Sequence, residues 1–143
     1  MNDLDKSKNR LYGEDSSLVI VKNGEILFET GSHGISGFLY AIEQLGARLA
    51  GASIADRVAG KAIALLCVYA GIRQVYAEVM SKNAKVIFEK SGIFYEWKEL
   101  VNNILDLNRN RICPFEKATT DISDPEVAHE EFEKLLQSLK ACK

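Results

Sequence analysis

Hydrophobic positions in this chain fall into short β-branched runs and stretches at helical spacing. Leu18-Val19-Ile20-Val21 and Ile26-Leu27-Phe28 flank Asn23-Gly24. Asn-Gly between two apolar runs predicts a β-hairpin, because a type I′ turn needs positive φ at both central residues. The unbroken apolar character predicts strands covered on both faces. A glycine-rich connector, Gly31 to Gly37, leads to Phe38, Leu39, Ile42 and Leu45 at helical spacing, stopped by Gly46. A second helix is predicted from near Ser53, a good N-cap with Asp56 three residues on. Its later part, Ala62 to Ala70, is apolar on every side and must be buried on more than one face.

Val75 to Val79 reads as a strand, Ser81 as the cap of a helix closed by Gly92, and Ile93 to Trp97 as another strand. Strand, helix, strand at this spacing predicts a parallel crossover unit. Leu100 to Leu107 reads as helix and Asn108 to Arg111 as loop. A last helix opens at Asp124-Pro125-Glu126, with Ala128, Phe132, Leu135, Leu136 and Leu139 on one face. Met1 to Ser16 is polar, with Leu4 and Leu11 as anchors, and forms either a tail or a short helix. The pattern gives one α/β domain over residues 17–143: a mixed sheet of a hairpin plus parallel strands, with helices on both faces.

Composition narrows the function classes. The chain has 143 residues, 47% of them apolar, which is enough for a core without disulfide or metal staples. Eighteen Lys and Arg against twenty Asp and Glu leave a charge of −2, so no nucleic-acid partner is expected. The longest apolar run, Ala62 to Ile72, is too short to cross a bilayer, and the charged start lacks the apolar stretch of a signal peptide. Three widely spaced cysteines, Cys67, Cys113 and Cys142, suit a reducing cytoplasm.

With two histidines and no close cysteine pair, neither a metal nor a cofactor is expected. Gly60-Lys61 is not a P-loop, because Ala55 and Ala62 stand where that motif needs Gly and Ser or Thr. Asp56, Arg57 and Lys61 are the only charges between Gly51 and Ile72. At the start of a buried helix such a cluster is either a rim pocket favouring anions or a cap with solvated cations. Glu78, in an apolar strand near Ser81, is either an acid–base group or the ion-pair partner of Lys61 or Arg57. His33 in the glycine-rich connector is either a phosphate or proton-transfer contact or an ordinary loop residue. Cys113, next to Pro114 and after Arg109 and Arg111, is either an activated thiol or part of a turn. Cys67 reads as core packing, and His129 with Glu130, Glu131 and Glu133 as a solvated helix face.

Several of these segments together resemble a known family. Val21-Lys22-Asn23-Gly24, His33-Gly34-Ile35, Ala52 to Asp56 with Gly60-Lys61-Ala62, Tyr76-Ala77-Glu78-Val79 and Cys113-Pro114 with Glu116 resemble small, uncharacterised prokaryotic proteins similar in fold to cytidine deaminases. The resemblance runs from about Ser17 to about Val127 and implies a three-layer α/β/α sandwich. The deaminase pattern puts His-x-Glu and Pro-Cys-x-x-Cys at the starts of two helices. The matching places here, near Asp56 to Lys61 and Met80 to Ala84, keep no zinc ligand, so zinc-activated water is not implied.

Residues and resemblance lead to one expectation, a zinc-free pocket at the starts of the two central helices that takes a small anionic, nucleotide-like ligand. Asp56, Lys61 and Glu78 would carry charge and any acid–base chemistry; His33, Ser53, Ser81 and Cys113 would line it. The alternative is a non-catalytic interaction or regulatory module on a deaminase-like scaffold. Whether a reaction is catalysed, and whether the chain forms a homo-oligomer, stay open at this level.

Overall fold

Asn23 and Gly24 both take positive φ, 52° and 79°, and so reverse the chain between β1 (Leu18–Lys22) and β2 (Glu25–Thr30). The structure, a computed structural model, describes residues 2–32, 34–104 and 114–141. The hairpin register slips once: Ile20 pairs with Phe28 but Val21 with Ile26, which leaves Leu27 as the extra residue of a bulge.

β1 also pairs antiparallel with β3 (Ser53–Ala59), and β3 pairs parallel with β4 (Gln74–Ser81), which pairs parallel with β5 (Phe94–Val101). The sheet is therefore mixed, in the order β2-β1-β3-β4-β5. Here the structure corrects the reading of Ser53 as a helix cap. Ser53 to Ala59 is a central strand, and the helix α3 (Lys61–Ala70) starts only after Gly60. A central strand is covered on both faces, so it shows no alternation, and Ala52 to Ala59 mimics a helix entrance. Leu100 and Val101 likewise belong to β5 and not to a helix, residues 102–104 are irregular, and the rest of that expected helix lies outside the described residues.

The helices form two layers. On one face α2 (Gly34–Leu45), α3, α4 (Lys82–Ser91) and α6 (Pro125–Ala141) bring Phe38, Leu39, Leu65, Phe88 and Phe132 onto Leu18, Ile20, Ile54 and Val75. On the other face lies α1 (Asp3–Gly13), capped by the Asn2 side chain. Its Leu4 and Leu11 pack on Val19, Val21, Ala55 and Tyr76. Each buried leucine contributes about 1.5–3 kcal/mol.

Polar clamps hold α1 at both ends. Asp3 accepts from the Asn23 and Gly24 amides at 2.8 Å each, so a helix residue secures the hairpin turn. At the other end, Arg57 of β3 donates to the carbonyls of Ser16 (3.0 Å) and Leu11 (3.1 Å), pairs with Asp15 at 3.2 Å, and lies over the Tyr12 ring.

Candidate functional site

Parallel strands deliver α3 and α4 to one edge of the sheet, their N-termini following the carboxyl ends of β3 and β4. In open α/β sheets this is the edge where ligands bind. Gly60 caps α3 with no side chain, and the space beside it is filled by Glu116 of the short helix α5 (Pro114–Ala118). A Cβ built on Gly60 would lie 1.3 Å from Glu116 Oε1 and 2.4 Å from its Cδ, so only glycine lets this carboxyl reach the backbone. Glu116 Oε2 accepts from the Ala62 amide at 3.2 Å. Lys61 Nζ donates to the Thr119 carbonyl at 2.8 Å, and Thr119 Oγ1 donates to the Glu116 carbonyl at 2.6 Å. Burial pushes the Glu116 carboxyl up to about 7, against the opposing pull of the Ala62 amide and the Lys61 charge. At the start of α4, Ser81 is buried and its hydroxyl accepts from the Ala84 amide at 3.1 Å.

Asp56 lies deeper. It is 2% exposed; its Oδ1 accepts from the Val58 amide at 3.1 Å, while Oδ2 has no hydrogen-bond partner among the described residues. Desolvation pushes this carboxyl up to about 7, and backbone hydrogen bonds from Val58 and Arg57 only partly offset it. The Cys67 thiol of α3 is raised by its own burial and then by the Asp56 charge. The local bond to Val58 accompanies a slip in side-chain alternation along β3, since Ile54 and Ala59 both pack into the same core.

The expected site residues divide among several places. Lys61 and Ser81 stand at the two helix starts, and Asp56 is in the core behind them. Ser53 begins β3, at the opposite end of that strand from Gly60, and donates to Gln74 Oε1 at 2.8 Å. Glu78 faces the α1 side, where it pairs with Arg57 at 3.4 Å, rather than the Lys61 side. His33 and Cys113 lie outside the described residues. Glu116 and Thr119 were not singled out by residue chemistry. The one sequence signal was Glu116 in the segment with Cys113-Pro114, and its contact with Ala62 spans 54 positions.

At the two helix starts the side chains differ from the deaminase zinc pattern. Gly60-Lys61-Ala62 and Ser81-Lys82-Asn83-Ala84 offer lysines and a capping hydroxyl in place of imidazole and thiolate. No group of three or more His, Cys, Asp or Glu side chains converges among the described residues. In the same residues no helix is long and apolar enough to cross a membrane.

The family model of TM1506, a domain of unknown function (DUF1893), matches residues 6–136. The chain belongs to this family. The DUF1893 assignment agrees with the resemblance drawn from the motifs. The crystal structure of a DUF1893 family protein (TM1506) from Thermotoga maritima is similar to this chain with a TM-score of 0.82 at 25% identity, covering 96% of this chain and 89% of that one. At lower scores the chain is similar to RibD of Acinetobacter baumannii (TM-score 0.45, 18% identity, 67% of this chain and 33% of that one). It is also similar to the apo dCMP deaminase of cyanophage S-TIM5 (TM-score 0.48, 14% identity, 69% and 94%). No curated protein sequence matches the chain.

Proposed function

We propose that the protein binds a small anionic, nucleotide-like ligand, without zinc, where α3 and α4 begin. The observation that carries this reading is that the start of α3 already holds a carboxyl group, donated by another element: Glu116 on the Ala62 amide, with Lys61 alongside. A helix N-terminus with a lysine favours negative charge, and a phosphate or carboxylate of the ligand would take the place of the Glu116 carboxyl. Glu116, raised to about 7, then serves as the proton donor or acceptor nearest the bound group. Lys61 supplies the cation, Ser81 lies at the neighbouring helix start, and Asp56 supports the site from the core. Glu78 is assigned to the Arg57 ion pair.

The test is a thermal-shift screen with nucleotides, sugar phosphates and small dicarboxylates on the wild type and on Lys61→Met. A ligand of the native state raises stability by mass action, about 2.7 kcal/mol at a hundredfold excess over Kd. Lys61→Met keeps the side-chain stem, so the variant is expected to fold and to lose most of that gain. No shift with any compound, together with a Lys61→Met protein that fails to fold, would reduce Lys61 to a strut for Thr119.

A further inference from the structure

A groove of about 470 Å³ lies away from the helix starts, beside β2 and between α2 and α6. Phe28 packs toward the helix face of the sheet, whereas Glu29 reaches the α1 face and pairs with Arg10 at 2.8 Å. Both nonetheless line this one groove. A groove touched from both faces of a strand includes that strand's outer edge. β2 is the terminal strand of the sheet, and among the described residues no strand pairs with its outer edge. The apolar lining comes from Phe28, Leu39, Leu136 and Tyr40, the last 55% exposed with its ring 6.0 Å from that of Phe28.

The charged residues that line the groove are all carboxylates, and of these Glu29 is already paired with Arg10. None of the lining residues is Lys or Arg. α2 contributes Glu43, for which no ion pair is seen among the described residues, and α6 contributes Glu133. Glu133 faces His129 at 3.7 Å, which is a cation only when protonated. We infer that this groove docks an extended, lysine- or arginine-bearing segment of another protein, which adds to β2 as a sixth strand and sets its cations between Glu43 and Glu133. Strand addition supplies main-chain hydrogen bonds, and the flanking side chains select the partner. A second copy of this chain fits poorly, because its own β2 carries Glu25 and Glu29 and would set carboxylates against carboxylates. The bulge at Leu27 confines the addition to the regular stretch Phe28 to Thr30.

The test uses the full-length chain, labelled for NMR, titrated with a capped hexapeptide alternating lysine and valine. The expected result is saturable binding with amide shifts centred on residues 28–30 and on α2 near Tyr40. The charge-reversed protein, Glu43→Lys with Glu133→Lys, should bind at least about tenfold more weakly. A hexapeptide N-methylated at every residue, which has no amide left to donate to a strand edge, should lose binding as well. Both substitutions are on helix surfaces, and an unchanged spectrum in the other elements confirms that the variant folds. The inference is overturned by no saturable shift at millimolar peptide, by equal binding of a glutamate–valine peptide, or by undiminished affinity in the charge-reversed protein. It is equally overturned by undiminished binding of the N-methylated peptide, or by a homodimer that the charge reversal dissociates.

Discussion

Gly60→Ala tests the architecture of the α3 start directly. The backbone there, φ −101° and ψ −170°, is extended and accessible to alanine, so the substitution brings no dihedral strain. Taken alone, replacing a glycine in a compatible conformation stabilises by about 0.4–1 kcal/mol, because the unfolded chain loses freedom. In this protein the new methyl would lie 1.3 Å from Glu116 Oε1, so the carboxyl must leave. Its departure removes the hydrogen bond from the Ala62 amide, a bond to a charged or polar carboxyl in a half-buried setting that is worth about 1.5–3 kcal/mol. The balance is a net destabilisation of about 1–2 kcal/mol. The decisive measurement is a double-mutant cycle with Glu116→Ala, read by urea unfolding. With the carboxyl already gone, Gly60→Ala should be neutral or slightly stabilising, giving a coupling of about 1–3 kcal/mol. Ile104 Cγ1, 2.7 Å from the same methyl, must shift in both backgrounds and cancels from the cycle. A coupling below about 0.5 kcal/mol would show that Glu116 is not seated on Gly60.

Asp56 should make stability fall as pH rises. Its carboxyl is shifted from 3.8 to about 7 in the folded protein, so between about pH 4 and 7 the unfolded chain releases a proton that the native state keeps, at a cost on the order of 4 kcal/mol over the window. Unfolding free energies of Asp56→Asn across pH 4–8 should lack this part of the slope, while the part due to Glu116 persists; an unchanged slope refutes the assignment. Arg57→Met should cost about 2–3 kcal/mol through the lost bonds to Leu11 and Ser16, and amide exchange should rise in α1 before it rises in β3 and β4. Elemental analysis of the purified protein should give well under one zinc per chain, and a full tightly held equivalent would contradict the zinc-free reading.

Where a local rule governs, residue patterns and structure agree. Asn23-Gly24 needs only its own turn geometry, and Ser81 needs only the Ala84 amide three residues on, so both are legible from neighbours. β3 is not, because what makes it a strand is β1 on one side and β4 on the other, and its small residues carry no periodicity of their own. Read as a helix, the same segment also misplaces its charges. On a helix Asp56 and Lys61 share a neighbourhood with Arg57, whereas on a strand Arg57 turns to the α1 face and takes Glu78 with it. The chemistry at the α3 start was legible in its cation, Lys61. Its carboxyl, Glu116, was not, because no spacing rule links residues that meet only when a distant short helix returns to the sheet edge.

The layer made by α1 has a consequence in time. Tyr12 and Tyr76, whose hydroxyls meet at 2.5 Å, are 64 positions apart, and at about 5–20 residues per second a ribosome needs roughly 3–13 seconds to make the distance. Throughout that interval α1 has been synthesised but the β4 residue it rests on has not. Until then its leucines have only Val19, Val21 and Ala55 to rest on, in a helix that otherwise carries Asp3, Asp5, Lys6, Lys8 and Arg10. α1 is therefore made well before its docking surface is complete, though α4, β5 and α6 are still to come when it is. The nascent sheet keeps one face open until β4 has been laid down beside β3.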